Sequence, residues 1–417
     1  PMTRPESWQS LLIGLDVATA APVAPPETTE VDHSAVLSRA GIGDFLKAHA
    51  GGPITVVVND THRMTDTRPF LAALLAVVDE VFPTQSRPKL RMLVATGSHK
   101  SDRLERAGHE ERIAAPFLKR FSESAWHDSD DAAGLCTVGD FQFHRWMSEA
   151  GTYVACGSTE PHYFAGVTGA HKTLTVGVMS RTDIQENHSR AMSTTASGMR
   201  LDDNPIHAGV VSALEALEKS GARFFCLNQV IVDGRVIAAT AGHPLAALAA
   251  AVPTVRRCFT YSVDEPLDLI VARVGPPLDR DLYQADKGIK NTEVAVRDGG
   301  VLILDAECPK GVGIDHFVTL LQTAPSYVEA MMIVQQRGYR LGDHKAVKLR
   351  ALTDKRKVRI GLVSPHLPPD LGPVVGMTVF RDRADAAHWA RGQLSSSKAR
   401  CLVVEDAGNL TLELASR

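Results

Sequence analysis

One turn-rich segment concentrates groups able to do chemistry: Glu160-Pro161-His162-Tyr163-Phe164-Ala165-Gly166-Val167-Thr168-Gly169-Ala170-His171-Lys172. It lies between a predicted strand and a predicted helix, and His188 follows sixteen residues after Lys172. Imidazoles exchange protons near neutral pH. The glycines let backbone amides approach an anion. A segment serving only to pack would not need so many titratable groups, and loops at strand ends are where α/β proteins bind ligands.

Two more strand ends carry such groups. Asn59-Asp60-Thr61-His62-Arg63 closes a β-branched run, and the Arg63 fork suits a planar carboxylate or phosphate. Thr96-Gly97-Ser98-His99-Lys100 closes the next run and offers His99 as a general acid or base. Alone, the first reads about equally well as a capped strand-end turn, and the second is more commonly a surface-loop histidine; together they strengthen one another. Ser180-Arg181-Thr182-Asp183 reads as a capping box, which places His188 on the helix it opens. In Tyr283-Gln284-Ala285-Asp286-Lys287-Gly288, Gln284 and Lys287 share one helical face.

Several other motifs fail. His171, not glycine, precedes Lys172, so the loop is not a P-loop. His109-Glu110-Glu111-Arg112-Ile113 lacks the second histidine of a zinc helix, and neither a GxSxG elbow nor a well-placed GxGxxG occurs. His127-Asp128-Ser129-Asp130-Asp131 reads as a solvated helix start rather than a cation site.

These loops need a rigid frame. Apolar runs at Ile54–Val58, Leu90–Ala95, Tyr153–Cys156, Phe224–Leu227, Leu267–Val274, Val301–Leu304, Val358–Val363 and Cys401–Val404 read as strands buried on both faces. Helical patterns such as Pro69–Val81 and Val210–Lys219 alternate with them, which predicts largely parallel α/β sheets. With 417 residues, two α/β domains are expected, 1–262 and 263–417, with the junction within Arg256–Pro266 and the active site in the cleft between them. The last strand, Cys401–Val404, has the option of returning to the first domain. Only Ala18–Thr29, rich in Pro, Ala and Thr, looks irregular.

The net charge of −3 gives no reason to expect nucleic acid or an anionic membrane as partner, and no apolar run reaches the ~18 residues of a membrane span. Pro1–Pro5 has no signal-peptide character. Six scattered cysteines without a CxxC pair predict reduced thiols and a cytoplasmic setting.

In order, the segments from about Val56 to about Lys345 resemble the nickel-pincer-nucleotide lactate racemase family. Asp60 and Arg63 match its Asp-x-x-Arg element, although His62 interrupts the usual Thr-Arg pair. Gly97-Ser98-His99-Lys100 matches a Gly-Thr-His-Arg-like element. Pro161–Lys172 matches Pro-His-Tyr-Phe-Ala-Gly-Phe-Ser-Gly-Gly-x-Lys, with Val167, Thr168 and Ala170 as departures. His188 has the expected spacing, and Tyr283, Gln284 and Lys287 match Tyr-Gln-x-x-Lys. Asn204-Pro205-Ile206-His207 and Gly342-Asp343-His344-Lys345 also look like family segments.

The resemblance implies a nickel-pincer nucleotide, Ni(II)-pyridinium-3,5-bisthiocarboxylic acid mononucleotide, bound covalently at Lys172 with His188 completing the nickel coordination. Asp60, Thr61, His62 and Arg63 would contact this cofactor. Arg63, Tyr283, Gln284 and Lys287 would meet a 2-hydroxy acid substrate. His99 and His162 would be the two bases that racemisation or epimerisation at C2 requires, and cofactor-biosynthesis enzymes would be partners. Two alternatives stay open on the residues alone. One is a metal-dependent hydrolase or aldolase using His99, His162 and His188 as ligands. The other is a non-catalytic pincer-nucleotide-binding protein.

Overall fold

Runs such as Ile-Thr-Val-Val-Val at 54–58 favour extended backbone and have no polar face to offer water. In the computed structural model, which describes residues 6–24, 30–49, 51–148, 150–396 and 398–415, every such run is a strand. Contacts divide the chain into two units. One comprises Ala24–Arg190 with Thr195–Cys258; the other comprises Pro1–Val23, Ala191–Thr194 and Phe259–Arg417.

The first unit holds a six-stranded sheet in the order Arg235–Gly242, Arg223–Val232, Thr152–Ser158, Ile54–Asn59, Leu90–Ala95, Glu123–Trp126. All neighbours are parallel except the hairpin of Arg223–Val232 with Arg235–Gly242. Val56 and Val58 point into one core with Leu71, Leu74 and Val78 of the helix Thr67–Val81. Val57 points into the opposite core with Leu174, Ala213 and Leu214. Cover on both faces explains why the run is continuous rather than alternating.

The second unit is an entirely parallel six-stranded sheet in the order Asp16–Ala20, Arg400–Val404, Leu267–Arg273, Val296–Asp305, Arg359–Val363, Thr378–Phe380. Ile270 and Ala272 face one core, and Leu269 and Val271 face the other.

Against the expected domains 1–262 and 263–417, contacts part the chain after Cys258 and group Pro1–Val23 with the second unit. Asp16–Ala20 forms a parallel edge strand on Arg400–Val404, and Trp8 Nε1 donates to Asp305 Oδ2 at 2.7 Å. The strand Arg400–Val404 pairs with Leu267–Arg273, so it stays in the second unit. Part of the stretch expected to be irregular, Ala18–Ala20, is therefore strand; its Pro25–Thr29 end lies outside the described residues, as does Pro1–Pro5. All six cysteines are free, and all but Cys136 are buried. No helix among the described residues is long and apolar enough to cross a membrane.

Candidate active site

The parallel strands of the first unit end on one edge, and the predicted loops leave from there. The strand Ile54–Asn59 delivers Asp60, Thr61, His62 and Arg63; Leu90–Ala95 delivers His99; Thr152–Ser158 delivers the Glu160–Lys172 segment. Asn59 ties the first loop down, donating to Thr65 Oγ1 at 2.7 Å and accepting from Thr173 Oγ1 at 2.8 Å.

Asp60 is 2% exposed and organises two imidazoles. One of its oxygens, Oδ2, lies 3.0 Å from His62 Nδ1 and 2.9 Å from His99 Nδ1, while Oδ1 accepts the His62 backbone N–H at 3.0 Å. Burial alone would raise the Asp60 carboxyl, but the charge of His99 and hydrogen bonds from both rings outweigh it and hold the group well below the usual carboxylate range. An ionised carboxylate only accepts, so each Nδ1 carries the hydrogen. Burial pushes His99 down, against the pull of Asp60 and with help from the charges of His62 and Arg63. A neutral His99 with Nδ1–H on Asp60 keeps Nε2 as its basic atom.

His162 has the complementary arrangement. It is 8% exposed, and its Nδ1 accepts the Ala165 backbone N–H at 3.3 Å, so a neutral ring carries its hydrogen on Nε2. Phe164 stands edge-on to both His162 (centroids 4.5 Å apart) and His188 (4.9 Å). Its backbone carbonyl accepts from Asn204 Nδ2 at 2.9 Å, and Asn204 also caps the helix Pro205–Lys219. Thr168 Oγ1 accepts the Glu160 N–H at 3.0 Å and donates to the Ser158 carbonyl at 3.1 Å, closing the loop on itself.

Lys172 sits on the short helix Ala170–Thr173 and is half-buried. Burial, then the Arg63 charge, pushes its amine down to about 7, with Glu160 partly opposing. Its neighbour His171 is wholly buried with neither ring nitrogen hydrogen-bonded, and burial holds it well below the ordinary histidine value. His188 rides on the helix Arg181–Ser189 as expected. Burial, then the Lys172 charge, pushes it down to about 3, so it stays neutral. Its Nδ1 is buried without a well-formed hydrogen bond, the Ile184 carbonyl one turn back only approaching it. The capping box is half made: Ser180 accepts the Asp183 N–H, while Asp183 takes the Ser180 hydroxyl and the Gln142 N–H.

Arg63 Nη1 donates to Glu160 Oε1 at 2.8 Å. The sequence alone assigns Glu160 no role; its sign opposite to Arg63 is the available clue. Sequence reasoning also misses Asn228. It is wholly buried, and its Oδ1 receives the Ala170 N–H at 2.8 Å. A polar amide directly after the apolar run Phe224–Leu227 is the signal.

The His127–Asp131 stretch opens no α-helix. Asp128 and Asp130 instead bind Lys100, and Asp130 also binds Arg181. Nor do His99, His162 and His188 form a metal set. The one triad among the described residues with donor atoms within 4.8 Å of one another is Asp60, His62 and His99. The His62 and His99 rings stack, with centroids 3.8 Å apart and planes 27° apart.

Tyr283, Gln284 and Lys287 lie on the helix Leu282–Thr292 of the second unit. Gln284 and Lys287 are half-buried on a helix whose other residues from 282 to 290 are buried. Tyr283 itself is core: the Lys345 ammonium lies 4.3 Å over its ring, and Phe317 packs edge-on at 5.8 Å. Lys345 also donates to the Tyr283 carbonyl and lies 3.5 Å from Asp286.

The lactate racemase N-terminal domain pattern matches residues 31–200, and the lactate racemase C-terminal domain pattern matches residues 264–349. The chain is 29% identical over 298 residues to the lactate racemase of Thermoanaerobacterium thermosaccharolyticum, covering 68% of this chain and 67% of that one. It is 27% identical over 275 residues to that of Lactiplantibacillus plantarum, covering 63% and 62%, under two thirds of that relative's length. The fold matches the lactate racemase apoprotein structure from T. thermosaccharolyticum with a TM-score of 0.80 at 23% identity, over 92% of this chain and 94% of that one. It also matches a crystal structure of a Thermotoga maritima protein with a TM-score of 0.73 at 17% identity, over 93% and 100%. Two domain patterns in the right order, spanning most of the chain, establish that it belongs to the lactate racemase family.

Proposed function

We propose that the chain is an isomerase that inverts C2 of a 2-hydroxy acid, using a nickel-pincer nucleotide held at Lys172. The observation that carries this reading is the pair His99 and His162. Their hydrogen bonds leave Nε2 basic on one and protonated on the other. Inversion needs a base and an acid that exchange roles with direction, and such a resting pair supplies both.

The residues fit the cofactor. Lys172 has an amine that is neutral in good part near pH 7, without a hydrogen bond or ion pair among the described residues, as covalent attachment requires. His188 is held neutral, with a buried nitrogen short of a good partner, as metal ligation requires. When bound, the group supplies the acceptor and donor of the C2 hydrogen. The chain's own residues do the rest. His99 Nε2 removes the hydroxyl proton as a 2-keto acid forms, and Asp60 stabilises the resulting imidazolium. His162 Nε2–H returns a proton when the hydroxyl is remade on the other face. Asp60, Thr61, His62 and Arg63 contribute cofactor contacts. Arg63, paired with Glu160, is the carboxylate-binding candidate of the first unit; Gln284 and Lys287, on the helix that Tyr283 fixes, are the substrate-contacting candidates of the second.

The test is intact-mass and nickel analysis of protein made with the cofactor's biosynthetic enzymes, followed by a chiral screen of 2-hydroxy acids. An adduct on Lys172, about one nickel per chain and inversion of one acid are expected. His99→Gln and His162→Gln should each lower turnover about 10²–10⁴-fold with nickel retained. Nickel loading without inversion of any acid would favour a non-catalytic binding protein. An unmodified Lys172 under verified cofactor supply would refute the assignment.

A further inference from the structure

His62 interrupts the family's sequence pattern, yet it is bonded to Asp60 and stacked on His99. A single hydrogen bond from His99 Nδ1 to Asp60 leaves the ring free to roll about the N···O line. It also permits a ring flip that would turn Nδ1 away from the carboxylate. His62 removes both freedoms. Its ring covers one face of His99, with centroids 3.8 Å apart and planes 27° apart. Its Nδ1 engages the same Asp60 oxygen at 3.0 Å, and its backbone N–H holds the other oxygen. The carboxylate is thereby fixed by the residue that stacks on the ring it orients. The His62 side chain is only 12% exposed, against 30% for His99, so it is the inner member of the stack.

We propose that His62 is a positioning residue that locks His99 with Nδ1 on Asp60 and Nε2 toward the reacting atoms. The inference rests on the reading of His99 as a base, and it assigns the orienting work to the stacked ring as well as to the carboxylate.

The test has two arms. Histidine-¹⁵N NMR of the full chain without cofactor reads the His99 tautomer, the resonance being assigned by its loss in His99→Gln. The native chain should show Nδ1–H and a bare Nε2. His62→Ala should show a mixture of tautomers. His62→Phe, which keeps a ring but not the hydrogen bond, should restore the single tautomer. In loaded enzyme, His62→Ala should lower kcat about 10- to 100-fold, the scale of small misplacements, with KM within about twofold, and His62→Phe should recover most of the loss. An unchanged His99 tautomer in His62→Ala overturns the proposal, as does a rise in KM at constant kcat. Equal loss in a folded His62→Phe overturns the role of stacking. The spectroscopic arm needs no turnover, so failure of the racemase reading and failure of this one are told apart.

Discussion

A carboxylate that accepts from two imidazoles cannot itself serve as the acid, so Asp60 acts through the rings it holds. Lys172 shows the same logic from the other side. An amine placed where burial and Arg63 both oppose its charge gives up its proton near neutrality. Below about pH 7 it is protonated and unreactive; above that it is a neutral nucleophile. Competitive labelling with an amine-selective reagent, read by peptide mass spectrometry, should therefore show Lys172 at half its plateau near pH 7, with the exposed Lys219 as internal reference. A midpoint near the ordinary lysine value of about 10 would mean that the amine is solvated and that burial does not tune it. The candidate groups themselves are partly legible in the sequence. His99, His162, Lys172 and His188 stand out by type and spacing. Glu160 and Asn228 do not, because their importance lies in partners brought from distant segments.

At the scale of elements, the Lys172 helix seats against the strand Thr152–Ser158 only because residue 157 lacks a side chain. A Cβ on Gly157 would lie 2.7 Å from the Ala170 nitrogen and 3.0 Å from the Gly169 carbonyl carbon, both backbone atoms that cannot swing aside. Gly157→Ala should destabilise the unit by about 1–3 kcal/mol, as overpacking does. The loss should appear as a lower denaturation midpoint, accompanied by weaker cofactor loading. Gly392→Ala, facing open space on a helix, is the control and should be neutral or stabilising. A normal midpoint for Gly157→Ala would show that the helix has room to retreat. The strands buried on both faces are readable because an uninterrupted β-branched run of this length has no polar face to leave in water. The strand Asp16–Ala20 is not, because it is an edge strand with only Ala20 buried, and its small and polar residues look like a loop. The His127–Asp131 stretch misleads because its carboxylates serve Lys100 and Arg181, partners that local sequence does not reveal.

At the scale of the whole molecule, the two sheets are built from chain segments that are not contiguous. Trp8 is buried and bonded to Asp305, which also receives Arg273 and Arg383. Trp8→Ala should cost the second unit about 3–5 kcal/mol, the range for large buried side chains. Trp8→Phe should cost less, about 1.5–3 kcal/mol, for the lost charged hydrogen bond. Urea unfolding followed by probes in each unit should show a lower midpoint for the 259–417 unit and an unmoved one for 24–258. The reverse pattern would contradict the division of the chain.

The pairing of Asp16–Ala20 with Arg400–Val404 also sets a timetable at the ribosome. Asp16–Ala20 waits for its partner strand while the roughly 380 residues between them are made, tens of seconds at roughly 5–20 residues per second. The 24–258 unit can fold in the meantime, with a bare β-edge and a tryptophan trailing from its front. A nascent chain stalled before Arg400–Val404 would therefore display both to passing chaperones, and only the arrival of that strand would withdraw them.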